Sequence, residues 1–410
     1  MKMKAGSGRV AVIGAGIVGV CIAHELRKRG REVLLIDRDE PGSGCSFGNS
    51  GAISEGSVVP LAMPGLLKSV PGMLCDPEGP LYLPPGYLPW AMPWLARFAL
   101  ASRPAAAQHA ASRLAVVHRN ALQLHLNLAR EVGAPELILR RGHLYLYPDE
   151  SILAKDQSGW RLREQYGFRA ERLDRDGILA LEPGIAERYR IGMFLADHAT
   201  VTNPWRYVQA IFQHYAALGG DCLRAEVSKL APGSGGWNIE YAGGVPTGTA
   251  EQVVVAAGAW SRKLLNPLGV HLPLESQRGY HVQFEGGAEV SRTVVLADRK
   301  VFITPMETGL RVGGTVEIGG LSAAPSPRRS QALLRIALSA FPSLRGRGYA
   351  TWMGHRPCMP DSVPRIGPAP GRAGLWLAVG HGHLGLTDSA GTAQAIADGI
   401  QGRRPRPEGA

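Results

Sequence analysis

Gly14-Ala15-Gly16-Ile17-Val18-Gly19 follows the short β-branched run Val10–Ile13 and opens a stretch where Val18, Ile22 and Leu26 recur at helical spacing. Gly30 ends that helix, residues 32–36 read as a second strand, and Asp37 closes it about 20 residues beyond the turn. G-x-G-x-x-G is a weak signal alone. Between a strand and a helix, with an acid at the end of the next strand, it predicts a βαβ unit that holds a dinucleotide. Gly14 permits the sharp turn, Gly16 lets backbone N–H groups approach a pyrophosphate, and Gly19 lets the helix pack closely on the sheet. Ala15, Ile17 and Val18 supply the backbone between, and the helix N-terminus stabilises the phosphate charge. Asp37, with Arg38 beside it, is placed to meet an adenosine ribose, and its carboxylate disfavours a 2′-phosphate.

The 410 residues suit one two-part fold rather than a string of modules. Apolar residues make up 45% of the chain, enough for a sizeable core, and the net charge is +11. No Lys/Arg block interleaved with aromatics appears, which argues against nucleic acid and leaves an anionic cofactor, substrate or membrane surface as partners. Cys21, Cys45, Cys75, Cys222 and Cys358 are odd in number and form no C-x-x-C pair. That spacing argues against a disulfide framework and a metal site, and it fits a reducing, cytoplasmic location. No run reaches the roughly 20 apolar residues of a spanning helix.

The loop 41–56 contains Ser46-Phe47-Gly48-Asn49-Ser50-Gly51, small and polar residues suited to wrapping a second phosphate and a ribityl chain. A nicotinamide enzyme would continue with regular βα units, so the loop favours FAD. Residues 58–104 are dense in Pro, Leu, Met and Trp, and their prolines argue against long regular helix. The stretch reads as an irregular excursion covering a site, or as a surface touching a membrane or a quinone. Helical periodicity predicts one long helix over 105–132, with His118 and His125 near its inner stripe, and others over 204–218, 331–341 and 386–400. Strands are expected at 221–230, 236–241, 252–257, 277–284, 293–296, 300–314 and 375–379. The fold class is therefore α/β. A Rossmann-like FAD-binding domain (1–57, 185–265, 350–410) is joined to an inserted α+β substrate domain (58–184, 266–349) with a mixed or antiparallel sheet. The tail 402–410 reads as disordered.

Four motifs in this order resemble the D-amino-acid oxidase superfamily of flavoproteins over nearly the whole chain. They are the N-terminal glycine turn, the 46–51 loop, Val253-Val254-Val255-Ala256-Ala257-Gly258-Ala259-Trp260-Ser261, and Gly380-His381-Gly382-His383-Leu384-Gly385-Leu386-Thr387. The closer likeness is to its D-amino-acid dehydrogenase branch, including the hydroxy-D-proline dehydrogenases. The resemblance implies that Ala257, Gly258 and Trp260 line the FAD and that the Val227 backbone faces the adenine. It further implies that Gly382, His383, Leu384, Gly385, Leu386 and Thr387 reach the flavin ring and ribityl chain. Gly354-His355-Arg356-Pro357-Cys358-Met359-Pro360-Asp361 resembles the family's G-x-R-P-x-x-P-D segment, whose Arg grips the substrate carboxylate. A planar guanidinium suits that role. Arg278-Gly279-Tyr280-His281 resembles the K-G-Y segment, so Tyr280 or His281 is expected to face the substrate, together with His383. Covalently flavinylated sarcosine oxidases carry a Cys at the position matching Gly354, so the resemblance implies FAD bound without a covalent link.

The function these readings imply is oxidation of a small D-amino or D-imino acid, such as D-proline or hydroxy-D-proline, by hydride transfer to the flavin. A quinone or carrier protein would take the electrons. The alternatives are an oxygen-using glycine- or sarcosine-type oxidase, an NAD enzyme, and a flavin-dependent tRNA-modifying protein.

Overall fold

The computed structural model describes residues 8–76, 78–287 and 289–403. The segment 404–410 of the expected disordered tail lies outside them. The first sheet has six strands in the order Asp221–Arg224, Val33–Asp37, Val10–Ile13, Gln252–Val255, Leu375–Val379 and Arg365–Pro368. All pairings are parallel except the last, which is antiparallel. Alternation along the strands explains why their runs are continuously apolar. Val10, Val12, Val33, Leu35 and Val254 bury one face against the helices Ile17–Lys28, Pro204–Ala217 and Gly385–Ile400. Ala11, Ile13, Leu34, Ile36, Val253 and Val255 bury the other against Trp237 and Ile239 of a small antiparallel sheet. A strand buried on both faces carries no polar alternation.

The second sheet is mixed and runs Tyr349–Cys358, Glu275–Glu285, Gly309–Ile318, Val301–Met306, Thr293–Leu296, His143–Tyr147, Ile191–Leu195 and Glu171–Leu173, with Leu81–Tyr82 attached to Gly309–Ile318. Thr293–Leu296 lies parallel to His143–Tyr147, and its pairing with Val301–Met306 is antiparallel. Helix Pro327–Ala340 covers one face of this sheet, packing on Tyr280, Val282, Phe284, Leu310 and Val312. The opposite face meets the 46–51 loop. The α/β class with two joined sheets is as expected, but two segments lie in the other sheet from the one anticipated. Ile191–Leu195 and Tyr349–Cys358 belong to the second sheet, so the chain crosses over after 195 and again between 358 and 365.

Several elements correct the sequence reading. The helix expected over 105–132 is two, Pro104–Val117 and Ala121–Glu131. Asn120 adopts the left-handed conformation between them (φ 57°), which Asn tolerates better than most residues. The break turns His118 toward Asp388, Nδ1 to Oδ1 2.6 Å, while His125 Nε2 donates to the Leu386 carbonyl at 2.7 Å. Both histidines are buried core groups that tie this region to the start of the closing helix. The proline-rich stretch does form helix, Leu66–Cys75 around Pro71 and Leu88–Ala101 around Pro93. Pro71 and Pro93 are on solvent-exposed turns, where water can satisfy the carbonyl left without an N–H partner. The expected strands 221–230 and 300–314 are each two, and helix Glu150–Gln165 and strand Tyr349–Cys358 were not foreseen.

Candidate active site and cofactor cleft

The first strand ends in a turn that only glycine fits. Gly14 has φ 106°, and a Cβ there would stand 2.4 Å from the Ala256 carbonyl oxygen. Gly16 differs, since a Cβ would meet nothing nearer than the Ser46 hydroxyl at 3.5 Å. It would fill open space before the helix start, where a pyrophosphate belongs. Ser46 Oγ accepts the Ile17 N–H at 2.9 Å, and Ile17 turns its side chain into the core. Asp37 Oδ2 accepts the Ala15 N–H at 2.6 Å and Oδ1 the Asp39 N–H at 3.0 Å, fixing the carboxylate at the strand end. The Arg38 guanidinium lies 4.5 Å from the Trp260 ring centroid. Strand Asp221–Arg224 pairs Arg224 with Asp37, and Ala225 N–H donates to the Asp37 carbonyl, which brings Val227 near the same crevice.

Two further turns reach this cleft. Ala257 and Gly258 follow strand Gln252–Val255 and are both partly exposed. Gly380 and Gly382, with φ 87° and 57°, carry the chain from strand Leu375–Val379 into helix Gly385–Ile400. Gly382 N–H donates to the Pro357 carbonyl at 2.9 Å, and His381 bridges Cys358, so this turn runs beside the Arg356 strand. The first-turn N–H groups of Gly385, Leu386 and Thr387 are the donors a helix start leaves unsatisfied. The Leu386 side chain is in the core. The Thr387 hydroxyl is already engaged, donating to the Ala52 carbonyl and accepting the Ser54 N–H, so only its backbone can serve a ligand.

Arg356 lies across the second sheet, over Gly279, where a Cβ would sit 2.2 Å from its guanidinium carbon. Its Nη1 donates to the Thr315 carbonyl at 2.9 Å. Among the described residues no carboxylate pairs with it, and its Nε and Nη2 lie over Gly279 in a partly buried position. Burial lowers its pKa from the usual guanidinium value. His383 is exposed to the cleft, yet desolvation by the surrounding walls, and then the nearby Arg356 charge, lower its pKa to about 4.

Tyr280 and His281 are adjacent, so they face opposite sides of their strand. His281 lies on the Arg356 side, with Nδ1 3.2 Å from the Gly48 carbonyl and its ring stacked on Trp352 at 5.1 Å. Desolvation, then Arg311, lower its pKa to about 3. Tyr280 does not face the cleft. Its ring packs in the core, and its hydroxyl is held by Glu317 and by the Ser326 N–H at 2.9 Å. His355 also points away from Arg356 and bonds Ser276 Oγ through Nδ1 at 2.8 Å. Cys45 and Cys358 lie near Arg356, and burial pushes their thiols up to about 11 and 12, which makes them poor nucleophiles for a flavin link.

Two residues at the site were missed in the sequence. Arg311 donates to the carbonyls of Phe47 (2.9 Å) and Asn49 (2.6 Å) and to Gln283 Oε1 (2.9 Å), pinning the 46–51 loop to the second sheet. Asn49 Oδ1 also accepts the Gly51 N–H at 2.8 Å, and Ser50 approaches Gly313. Trp352 lies over Gly354 and Gly48, where a Cβ on either would clash with its ring. Its signal was available, because two-residue alternation puts it on the face of Gly354 and Arg356 once that run is read as a strand. Arg311 had no such signal, since its partners are backbone carbonyls far away in sequence.

The residues present fit a dinucleotide with a second aromatic system: an open phosphate cradle at Gly16, a second helix start at Gly385, and an unpaired cation beyond it. The profile of the DAO family, FAD dependent oxidoreductase, matches residues 9–399. A D-amino-acid oxidase of Bradyrhizobium diazoefficiens is 39% identical over 97% of this chain and 96% of its own. D-amino acid dehydrogenase 2 of Ralstonia nicotianae is 34% identical over 97% of both chains. Glycine oxidase from Geobacillus kaustophilus superposes with a TM-score of 0.74 at 23% identity, covering 97% of this chain and 96% of that one. L-proline dehydrogenase from P. horikoshii gives 0.74 at 18%, covering 97% and 94%. These structures share the fold. The family profile and the sequence relatives show that the chain belongs to the DAO family, as an FAD-dependent amino acid oxidoreductase.

Proposed function

We propose that the chain oxidises a small D-amino or D-imino acid to its imine, with D-proline or hydroxy-D-proline as the favoured class. We further propose that a quinone or carrier protein takes the electrons. The observation that carries this reading is Arg356, a partly buried guanidinium without a carboxylate partner among the described residues, near enough to His383 for its charge to act on that ring. It can take a carboxylate through two parallel hydrogen bonds. When bound, non-covalent FAD supplies the hydride acceptor. Arg356 fixes the substrate by its carboxylate and so orients the Cα–H, which accounts for much of the acceleration. His383 is neutral at physiological pH and can accept a hydrogen bond from the substrate nitrogen. N–H groups at the start of helix Gly385–Ile400 would be available to stabilise negative charge on the bound ring. The test is an anaerobic flavin-bleaching screen of D- and L-amino acids, prolines and sarcosine. Bleaching by D-amino or D-imino acids supports the assignment, and bleaching by L-acids or sarcosine alone rejects it.

A second reading, an oxygen-using oxidase, is favoured by the 39% identical relative named a D-amino-acid oxidase. Peroxide formed in step with substrate would select it. The acceptor side of the proposal rests on helices Leu66–Cys75 and Leu88–Ala101. They expose Leu67, Leu74, Leu88, Met92 and Leu100, with Trp90 at 75%, beside the exposed cations Lys68, Arg97 and Arg103. Among the described residues no helix is long and apolar enough to cross a membrane. This surface fits peripheral contact with an anionic lipid face, where a quinone would be met. A cytoplasmic location on the inner face of a membrane belongs to the same proposal.

A further inference from the structure

Behind the dinucleotide crevice, three metal-ligating side chains meet that the proposed reaction does not use. His24 comes from helix Ile17–Lys28, Glu131 ends helix Ala121–Glu131, and His214 comes from helix Pro204–Ala217. His24 Nε2 and His214 Nδ1 are 2.8 Å apart, and Glu131 Oε1 is 4.0 Å from His24 Nε2. The three ligand atoms all lie within 4.8 Å of one another. A tetrahedral ion with bonds of ~2.0–2.1 Å holds its donors roughly 3.4 Å apart. The two spacings at His24 bracket that value, each within about 0.6 Å of it, and the carboxylate must also close on His214 from a spacing of no more than 4.8 Å.

We propose that His24, Glu131 and His214 form a site for a zinc-class divalent cation that clamps the three helices together. His24 binds through Nε2 with its proton on Nδ1, and His214 through Nδ1 with its proton on Nε2. Without the ion, the same two nitrogens share one proton in the hydrogen bond observed. Glu131 presents Oε1 to the histidines, while Oε2 is held by Lys28 Nζ at 2.8 Å. Lys28 therefore orients the carboxylate and opposes the cation by its charge. A groove of about 170 Å³, bordered by His24, Lys28, Asn127, Glu131 and Gln394, leaves room for water as the fourth ligand. Two imidazoles and a carboxylate suit zinc better than magnesium or calcium, which favour oxygen donors alone. Sequence reading anticipated no metal site. Positions 24, 131 and 214 have no ligand spacing, and only the packing of three helices brings them together.

The test is calorimetric titration of the untagged, FAD-loaded chain with zinc chloride and with magnesium chloride, alongside thermal unfolding. Zinc binds saturably at a single site and raises the unfolding temperature, and magnesium does neither. His214→Gln and Glu131→Gln, at half-buried and exposed positions, abolish the binding step but keep the FAD content. Lys28→Gln tightens it. Failure of zinc to bind saturably would overturn the site, as would binding unchanged in both His214→Gln and Glu131→Gln.

Discussion

A side chain at position 16 would enter open space, so Gly16→Val should fold normally and lose its flavin, because the added carbons occupy the phosphate cradle. Full flavin occupancy in that variant would contradict the placement. Arg311→Met removes two charge-assisted hydrogen bonds that hold the 46–51 loop, to the Phe47 and Asn49 carbonyls, and a third to Gln283 on the neighbouring strand. The FAD dissociation constant is expected to rise ~10-fold or more. Fluorescence titration of the apoprotein with FAD checks this, and an unchanged constant would show that the loop holds itself. The glycine turn was legible because its chemistry is local: three glycines, one strand, one helix and one acid. Tyr280 and His281 were both candidates because the motif marks the pair, whereas the pleat sends one to the core and the other to the cleft.

Helix Leu88–Ala101 carries its apolar residues on two sides. Ala91 and Trp94 pack under Ile318 and Cys358, with Trp94 Nε1 donating to the Cys358 carbonyl at 3.1 Å. Trp90, Met92 and Leu88 face outward. Trp90→Ser with Met92→Ser should lower co-sedimentation with anionic lipid vesicles and leave turnover with a soluble dye acceptor unchanged. Equal sedimentation of the two proteins would remove the lipid assignment. The prolines that argued against helix here are punctuation only where a missing N–H matters, and on an exposed turn it matters little. The break at Asn120 was hidden for a different reason. The apolar stripe continues through it, and the partners that reward the break, Asp388 and Leu386, lie far away in sequence.

Two large sheets, accompanied by two three-stranded ones, are joined by several chain crossings, and the cleft lies where turns from the first face the inner side of the second. Sequence supplied the four central strands of the first sheet, because parallel strands buried on both faces are unmistakable apolar runs, and it did not foresee the edge strand Arg365–Pro368. It missed Tyr349–Cys358, whose Trp352, Gly354 and Arg356 share the face toward the cleft and give no continuous apolar run. The same assembly buries neutral histidines. Burial lowers the pKa of His125 and His143 to about 4. The unfolded chain, with histidines near their ordinary 6.5, then binds more protons than the folded one at any pH between about 4 and 6.5. Their contribution is complete above that window and is lost as pH falls through it, by on the order of 1 kcal/mol per pH unit for each histidine. Urea unfolding at pH 7 and pH 5 should show a lower midpoint at pH 5, and equal midpoints would mean these rings are not held neutral. Carboxylate capture by Arg356 can be measured by titrating the holoenzyme with a simple carboxylate while following the flavin absorption band. A saturable perturbation is predicted for the wild-type chain. In Arg356→Met the affinity should weaken about 100-fold or more with FAD still bound. The same perturbation at the same affinity in Arg356→Met would contradict the account.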